Sequence, residues 1–308
     1  MRRRIKAATL LAMGIPLGWG CTSGGAARPE PPPTPATAPA TRPVELPAGA
    51  RGIYDIAYVP GGHARQKLDL YLPPNGEKVP LVIWVHGGGW RGGDKAHPPA
   101  LRLLERGYAV ASVNYRFSNH ATFPAQMHDL KAAVRWLRAH ADEYHYDANR
   151  FAAWGFSAGG QMVALLGVSG GVAELEGQLG EHLDQSSRVQ CVIDWAGASE
   201  FRDAERLPLN DNRIKLLGGT AAEKPELARL ASAVAFVSPD DPPTLIMQGA
   251  LDKTVDPEHS RRFFAALQAG GVKSKLVEIA DGGHGGDKFY TPEMQAIVDA
   301  WLDEHLKK

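Results

Sequence analysis

Apolar and polar positions along this 308-residue chain follow two periods. Val79-Pro-Leu-Val-Ile-Trp-Val85 and Phe151-Ala-Ala-Trp154 are short, nearly continuous apolar runs, which read as buried central strands. Lys67-Leu-Asp-Leu-Tyr-Leu72 alternates instead, as a half-buried strand does. The pattern predicts strands over 53–59 and 66–72, around the turn Pro60-Gly61-Gly62, then over 79–85, 108–115, 151–154, 189–195, 243–248 and 273–279. Helices are predicted over 99–106, 124–144, 160–166, 257–269 and 291–307; in the second, Met127, Leu130, Val134 and Leu137 recur at helical intervals. Strands alternating with helices imply an α/β chain with a mostly parallel sheet covered on both faces. Residues 169–188 and 197–238 break the alternation. Long excursions from the carboxyl ends of such strands roof the ligand crevice, so both read as substrate-site loops and the second as a small cap.

The first 50 residues have a different character. Arg2, Arg3, Arg4 and Lys6 precede an apolar stretch over 7–19, with no acidic residue before position 21. That is the pattern of a secretory signal, too short to span a bilayer. The formal net charge is zero, so nothing suggests a nucleic-acid partner; without those four residues, 30 basic face 34 acidic ones. Leu17-Gly-Trp-Gly-Cys21 resembles a bacterial lipobox, although the Leu stands four residues before the Cys rather than three and Trp19 is unusual there. Residues 22–50, rich in Pro, Ala and Thr, read as an extended spacer. The organisation expected is a signal peptide over 1–20, a proline-rich linker over 21–50 with a lipid anchor at Cys21, and a catalytic domain over 51–308. Such a protein is exported, to the cell envelope, the periplasm or beyond, and touches membrane only through its anchor. The other cysteine, Cys191, falls in an apolar run and reads as a small buried hydrophobe.

The candidate chemistry centres on Gly155-Phe-Ser-Ala-Gly159, between the strand over 151–154 and the helix over 160–166. Three fixed positions of this kind arise by chance about 0.1 times in a chain of this length, so the flanking strand and helix carry the argument. Ser157 at such a turn is a nucleophile, and an acyl-transfer serine needs a base, an acid that orients the base, and donors for the oxyanion. His86-Gly87-Gly88-Gly89 follows a central strand, so Gly88, Gly89 and Ala158 are assigned the oxyanion hole. Among 11 histidines, His140 and His305 fall in predicted helices, His145 directly after one, and His63, His97 and His120 in polar loops. His284, in Asp281-Gly-Gly-His-Gly-Gly286 after the last strand, is assigned the base. The acid should lie between serine and histidine in chain order. Asp252 fits, Asp194 is the runner-up, and Asp256 and Asp281 come behind. Trp90, Phe156 and Trp195 are read as pocket residues and Trp154 as core. No histidine pair stands at helical or finger spacing with a cysteine, and Gly282-Gly-His-Gly-Gly286 lacks the βαβ unit of a dinucleotide site. Neither a metal nor a cofactor is expected.

Residues 51–307 resemble the α/β-hydrolase superfamily, specifically bacterial esterases of the hormone-sensitive-lipase-like and feruloyl/acetyl-xylan-esterase-like group. The stretches that carry the likeness are His86-Gly-Gly-Gly-Trp90, Val113-Asn-Tyr-Arg116, Asp129-Leu-Lys-Ala-Ala-Val-Arg-Trp-Leu137, Gly155-Phe-Ser-Ala-Gly-Gly160, Ser186-Ser-Arg-Val-Gln190, Ser238-Pro-Asp-Asp-Pro-Pro243 and Gly249 to Asp256. The resemblance implies an α/β-hydrolase fold with a small cap and hydrolysis of short-chain or aromatic acyl esters, acetyl or feruloyl esters of plant polysaccharide among them. It carries the roles of nucleophile, acid and base onto Ser157, Asp252 and His284. The chain departs from many relatives at Phe156, where they have Asp or Ser, and at Gln248-Gly249, where they have His-Gly. The His-Gly-Gly-Gly-Trp stretch also resembles kynurenine formamidases, so an amidase or peptidase is the neighbouring reading. A non-catalytic glycan-binding lipoprotein on the same scaffold is a third, which fold alone does not exclude.

Overall fold

The computed structural model of the chain describes residues 45–74 and 78–307. The expected signal peptide, Cys21 and most of the proline-rich linker lie outside the described residues. Eight strands form one sheet: β1 (Arg51–Ala57), β2 (Lys67–Leu72), β3 (Val79–Val85), β4 (Ala109–Val113), β5 (Tyr146–Phe156), β6 (Cys191–Trp195), β7 (Thr244–Gly249) and β8 (Ser274–Ile279). Their order is β1-β2-β4-β3-β5-β6-β7-β8. β2 runs antiparallel to both its neighbours, and every pairing from β4 across to β8 is parallel.

The side-chain period of two divides each central strand between two cores. Along β3, Leu81, Ile83 and Val85 face one side and Val82 and Trp84 the other. The first side packs against helices α1 (Ala125–Ala139), α2 (Ala158–Val168) and α6 (Glu258–Ala269), through Leu130, Met162 and Phe263 among others. The second side packs against a 3-10 segment, Pro99–Arg106, and the last helix, α7 (Pro292–Leu306), through Leu103, Val298 and Trp301. Between α2 and α6 come three short helices, α3 (Ala173–Glu176), α4 (Asp211–Leu217) and α5 (Pro225–Ala231). Helices therefore cover both faces, as the alternating pattern predicts. Cys191 is completely buried in the second core.

Boundaries differ where local chemistry intervenes. The segment over 99–106 starts after Pro98 and closes on Gly107 in the left-handed region, and it winds as a 3-10 helix rather than an α-helix. The long helix ends at Ala139 instead of reaching 144, and the turn beyond it holds His145 at φ 61°.

The two excursions part ways. From the second, Ala198, Asn210, Asn212 and Arg213 line the cavity that opens at Ser157. It is tied down by Ser199 Oγ, which donates to the His259 carbonyl (2.6 Å), and by Phe201 N, which donates to Ser232 Oγ (2.9 Å). No residue of 169–188 lines that cavity, which corrects the expectation for this stretch. Its role is electrostatic: Lys131 of α1 is fully buried, and Glu176 accepts from its Nζ at 2.8 Å and from Arg135 Nη1 at 3.3 Å. An ammonium buried without a partner is costly, so this loop is held against α1 rather than over the serine.

Candidate active site

Ser157 stands between the end of β5 and the first turn of α2 with φ 57° and ψ −116°, a backbone conformation that side chains rarely adopt. The two flanking glycines make the turn physically available. A Cβ on Gly155 would lie 2.3 Å from the carbonyl oxygen of Gly159, and one on Gly159 would lie 2.0 Å from that of Val85. Both contacts are with backbone, so neither position can accept a side chain by a simple rotamer change. Ser157 N donates to the Trp195 carbonyl at 2.7 Å, which fastens the turn to β6. The first residue of α2 is Ala158, so the positive end of the helix lies beside the serine.

Three side chains from three loops meet here. His284 Nε2 lies 2.8 Å from Ser157 Oγ, and His284 Nδ1 lies 2.7 Å from Asp252 Oδ2. The proton positions follow from the carboxylate. Burial raises the Asp252 pKa, but the bonds from His284 and from the backbone N–H groups of Val255 and Thr254 outweigh it and hold it below the usual range. An ionised carboxylate only accepts, so Nδ1 carries the imidazole proton, and Nε2 is free to accept the serine hydroxyl. Asp252 is thus the carboxylate that lies against His284. Asp194, the alternative, is fully buried with Oδ1 accepting from Gly197 N at 2.9 Å. Burial pushes its carboxyl up to about 7, against the opposing pull of the Gly197 bond.

Gly88 and Gly89, at φ 110° and 58°, wall the cavity beside Ser157. The loop that carries them is pinned from below. His86 stacks on Tyr115, with ring centroids 4.6 Å apart, and places Nδ1 2.7 Å from the Gly87 carbonyl. Burial lowers the His86 pKa to about 4, so it is a neutral support. Arg65 reaches both His86 Nε2 (3.1 Å) and Asn114 Oδ1 (2.9 Å), which accounts for part of the Val113-Asn-Tyr-Arg116 stretch.

The cavity at Ser157 holds about 260 Å³. Trp90 and Phe156 line it, as read from sequence. Trp90 is fixed by its Nε1 donating to Gln161 Oε1 at 3.2 Å and by an edge contact with Phe201. Phe156 packs 5.0 Å from the His284 ring, and its tip meets Gly285 so closely that a Cβ there would lie 2.6 Å away. Trp195 is a correction. Its ring is 1% exposed, lies on Trp154 (4.8 Å) and Phe289 (5.3 Å), and belongs to the second core; only its backbone serves the site. Cys21 lies outside the described residues.

Two residues escaped the sequence reading. Gln248 Nε2 donates to Asp252 Oδ2 at 3.0 Å, and its Oε1 accepts from Ser260 Oγ at 2.9 Å, so an amide braces the acid from beneath. The signal was its departure from the His-Gly pattern of relatives. Arg213, on α4, is 4% exposed and lines the cavity, and nothing local in sequence marks it. Among the described residues, no group of three or more His, Cys, Asp or Glu is placed to hold a metal ion.

Residues 68–267 match the sequence profile of the BD-FAE family. The esterase LipQ of Mycobacterium tuberculosis (strain ATCC 25618 / H37Rv) is 29% identical over 81% of this chain and 61% of its own length. Among solved structures, a truncated form of a carbohydrate esterase from gut microbiota is similar with a TM-score of 0.79 at 29% identity, covering 84% of this chain and 97% of that one. A bifunctional GH43-CE protein of Bacteroides eggerthii is similar with a TM-score of 0.76 at 30% identity, covering 82% of this chain and 35% of that one. The chain spans about half to three fifths of the length of the curated relatives it matches.

Proposed function

Because this chain belongs to the BD-FAE family and has the α/β-hydrolase fold, we propose that residues 51–308 are a serine carboxylesterase for short-chain or aromatic acyl esters. One observation carries the reading: the hydrogen-bonded line Asp252–His284–Ser157 opens into the same small cavity as Gly88 and Gly89. Ser157 Oγ attacks the ester carbonyl while His284 Nε2 takes its proton. The backbone N–H groups of Gly88, Gly89 and Ala158 receive the developing oxyanion. The protonated imidazole then gives its proton to the departing alcohol, leaving an acyl group on Ser157. Water, activated by the same histidine, releases the acid. Asp252 holds the ring and stabilises the imidazolium throughout.

Similarity to a carbohydrate esterase supports acetyl or feruloyl esters on polysaccharide as the substrate class. The cavity supports short or flat acyl groups, being smaller than the roughly 300–1,000 Å³ common for drug-sized ligands and walled by Trp90 and Phe156. The expected result across p-nitrophenyl acetate, butyrate, octanoate and laurate is a kcat/KM at least about 10-fold lower for the two long chains. Phe156→Ser should narrow that gap. A wild-type optimum at octanoate or longer would contradict the short-acyl reading.

The first 50 residues support export and attachment through Cys21, with the proline-rich stretch as spacer. Cys21→Ser should move the full-length protein from the membrane to the soluble fraction. Membrane association that survives this change, in processed protein, would remove the anchor from the proposal.

A further inference from the structure

The cavity wall contains a buried cation that no carboxylate touches directly among the described residues. Arg213 is 4% exposed and forms no ion pair among the described residues. Its Nη1 makes one long bond, 3.4 Å, to the Pro208 carbonyl, and its Nη2 is enclosed with no partner. Two arginines elsewhere show the contrast: Arg116 grips Asp129, and Arg135 meets Glu176. No Asp or Glu lines the cavity at Ser157. Arg213 also borders an adjoining cavity of about 470 Å³, where Lys253, Asp256 and His259 contribute polar groups. Burial brings the guanidinium pKa down to about 10, with Asp252 and Asp256 pulling it back up, so it remains charged near neutrality.

A guanidinium in such a place suits a planar anion, because its fork of donors matches a carboxylate and a buried charge without a partner is costly. Asn212 shows how close the same helix comes to the chemistry: a Cβ on Gly89 would lie 2.4 Å from its Nδ2. We propose that Arg213 is a specificity-determining residue that binds a carboxylate carried by the substrate near its scissile ester, so that the enzyme prefers acidic esters. This deepens the esterase reading and rests on it. The carboxylate can sit on the acyl part, as in a dicarboxylic half-ester, or on the alcohol part, as in a uronic acid; two matched pairs separate these sources.

The first pair is mono-p-nitrophenyl succinate against p-nitrophenyl butyrate. The second is 4-acetoxybenzoate against 4-methylphenyl acetate. For each, the anionic-to-neutral ratio of kcat/KM is compared between wild type, Arg213→Met and Arg213→Lys. The ratio cancels any general loss from a disturbed cap. In at least one pair it should fall roughly 10- to 100-fold in Arg213→Met and recover in part in Arg213→Lys. If Arg213→Met does not fold, as judged by circular dichroism, Arg213→Gln carries the comparison. Neutral esters hydrolysed with both ratios unmoved, within about 2-fold, would overturn this inference alone. Wild type that hydrolyses no member of either pair would refute the esterase reading, and this inference with it.

Discussion

Ser157→Ala is expected to lower kcat/KM on p-nitrophenyl acetate by about 10⁴- to 10⁶-fold while leaving the circular-dichroism spectrum unchanged. The size follows from what is lost. Without Oγ there is no covalent intermediate, and His284 has no serine proton to take. What remains is whatever the oxyanion glycines contribute to direct attack by water. Ser157 sits at φ 57°, and alanine meets the same backbone restriction as serine, so the fold should tolerate the change. Steady-state kinetics with freshly purified variant checks the outcome. A loss smaller than about 100-fold would mean that another residue is the nucleophile.

The second large effect separates two buried aspartates. Asp252→Asn should reduce turnover by about 10³- to 10⁴-fold, because an amide that donates to His284 Nδ1 imposes the wrong tautomer and leaves Nε2 protonated. Asp194→Asn should leave kcat/KM within a few-fold of wild type, and its effect should appear in stability instead. The Asp194 carboxyl is pushed up to about 7 in the folded chain, whereas an unfolded aspartate titrates near roughly 3.9. Between those values the native state holds a proton that the unfolded state has released. The stabilising contribution is therefore complete below about pH 4 and is lost as pH rises through 7. Asparagine, which resembles the protonated form, should remove that slope, so Tm should rise relative to wild type more at pH 8 than at pH 5. Kinetics in which Asp194→Asn is the more damaging substitution would reverse the assignment of the acid.

What sequence could and could not reveal divides along the range of the forces involved. The elbow was legible because its requirements are local: Gly155 and Gly159 stand where a Cβ would strike backbone, and that need is written two residues either side of Ser157. His284 was legible because a flexible loop after the last strand returns to the sheet's carboxyl edge. The choice between Asp252 and Asp194 was open in the residues themselves, since Asp252 follows one strand and Asp194 ends another, both ahead of His284. Tertiary geometry, which sets Asp252 2.7 Å from the imidazole and turns Asp194 into the first core side, favours Asp252. Trp195 shows a signal available but not used. Cys191, Ile193 and Trp195 share one strand face, the face of Trp154, so the alternation that marked Trp154 as core applied equally to Trp195. The loop over 169–188 was misplaced because its purpose, neutralising Lys131 and Arg135, depends on two charges more than 30 positions upstream. Arg213 and Gln248 lie in the same category. Arg213 is an ordinary polar residue in sequence and Gln248 stands out only by its departure from the His-Gly pattern; the packing of α4 and β7 brings one into the cavity and the other beneath Asp252.

The central claim is that Ser157 is the nucleophile and His284 its base, and trapping the nucleophile tests it most directly. Wild type, Ser157→Ala and His284→Ala are treated with an alkyl fluorophosphonate, and the intact proteins and their peptides are weighed by mass spectrometry. The account predicts one adduct per wild-type chain, on the peptide that contains Ser157, formed far more slowly in His284→Ala and absent from Ser157→Ala. An adduct on any other residue, or none on wild type that still hydrolyses p-nitrophenyl acetate, would contradict it.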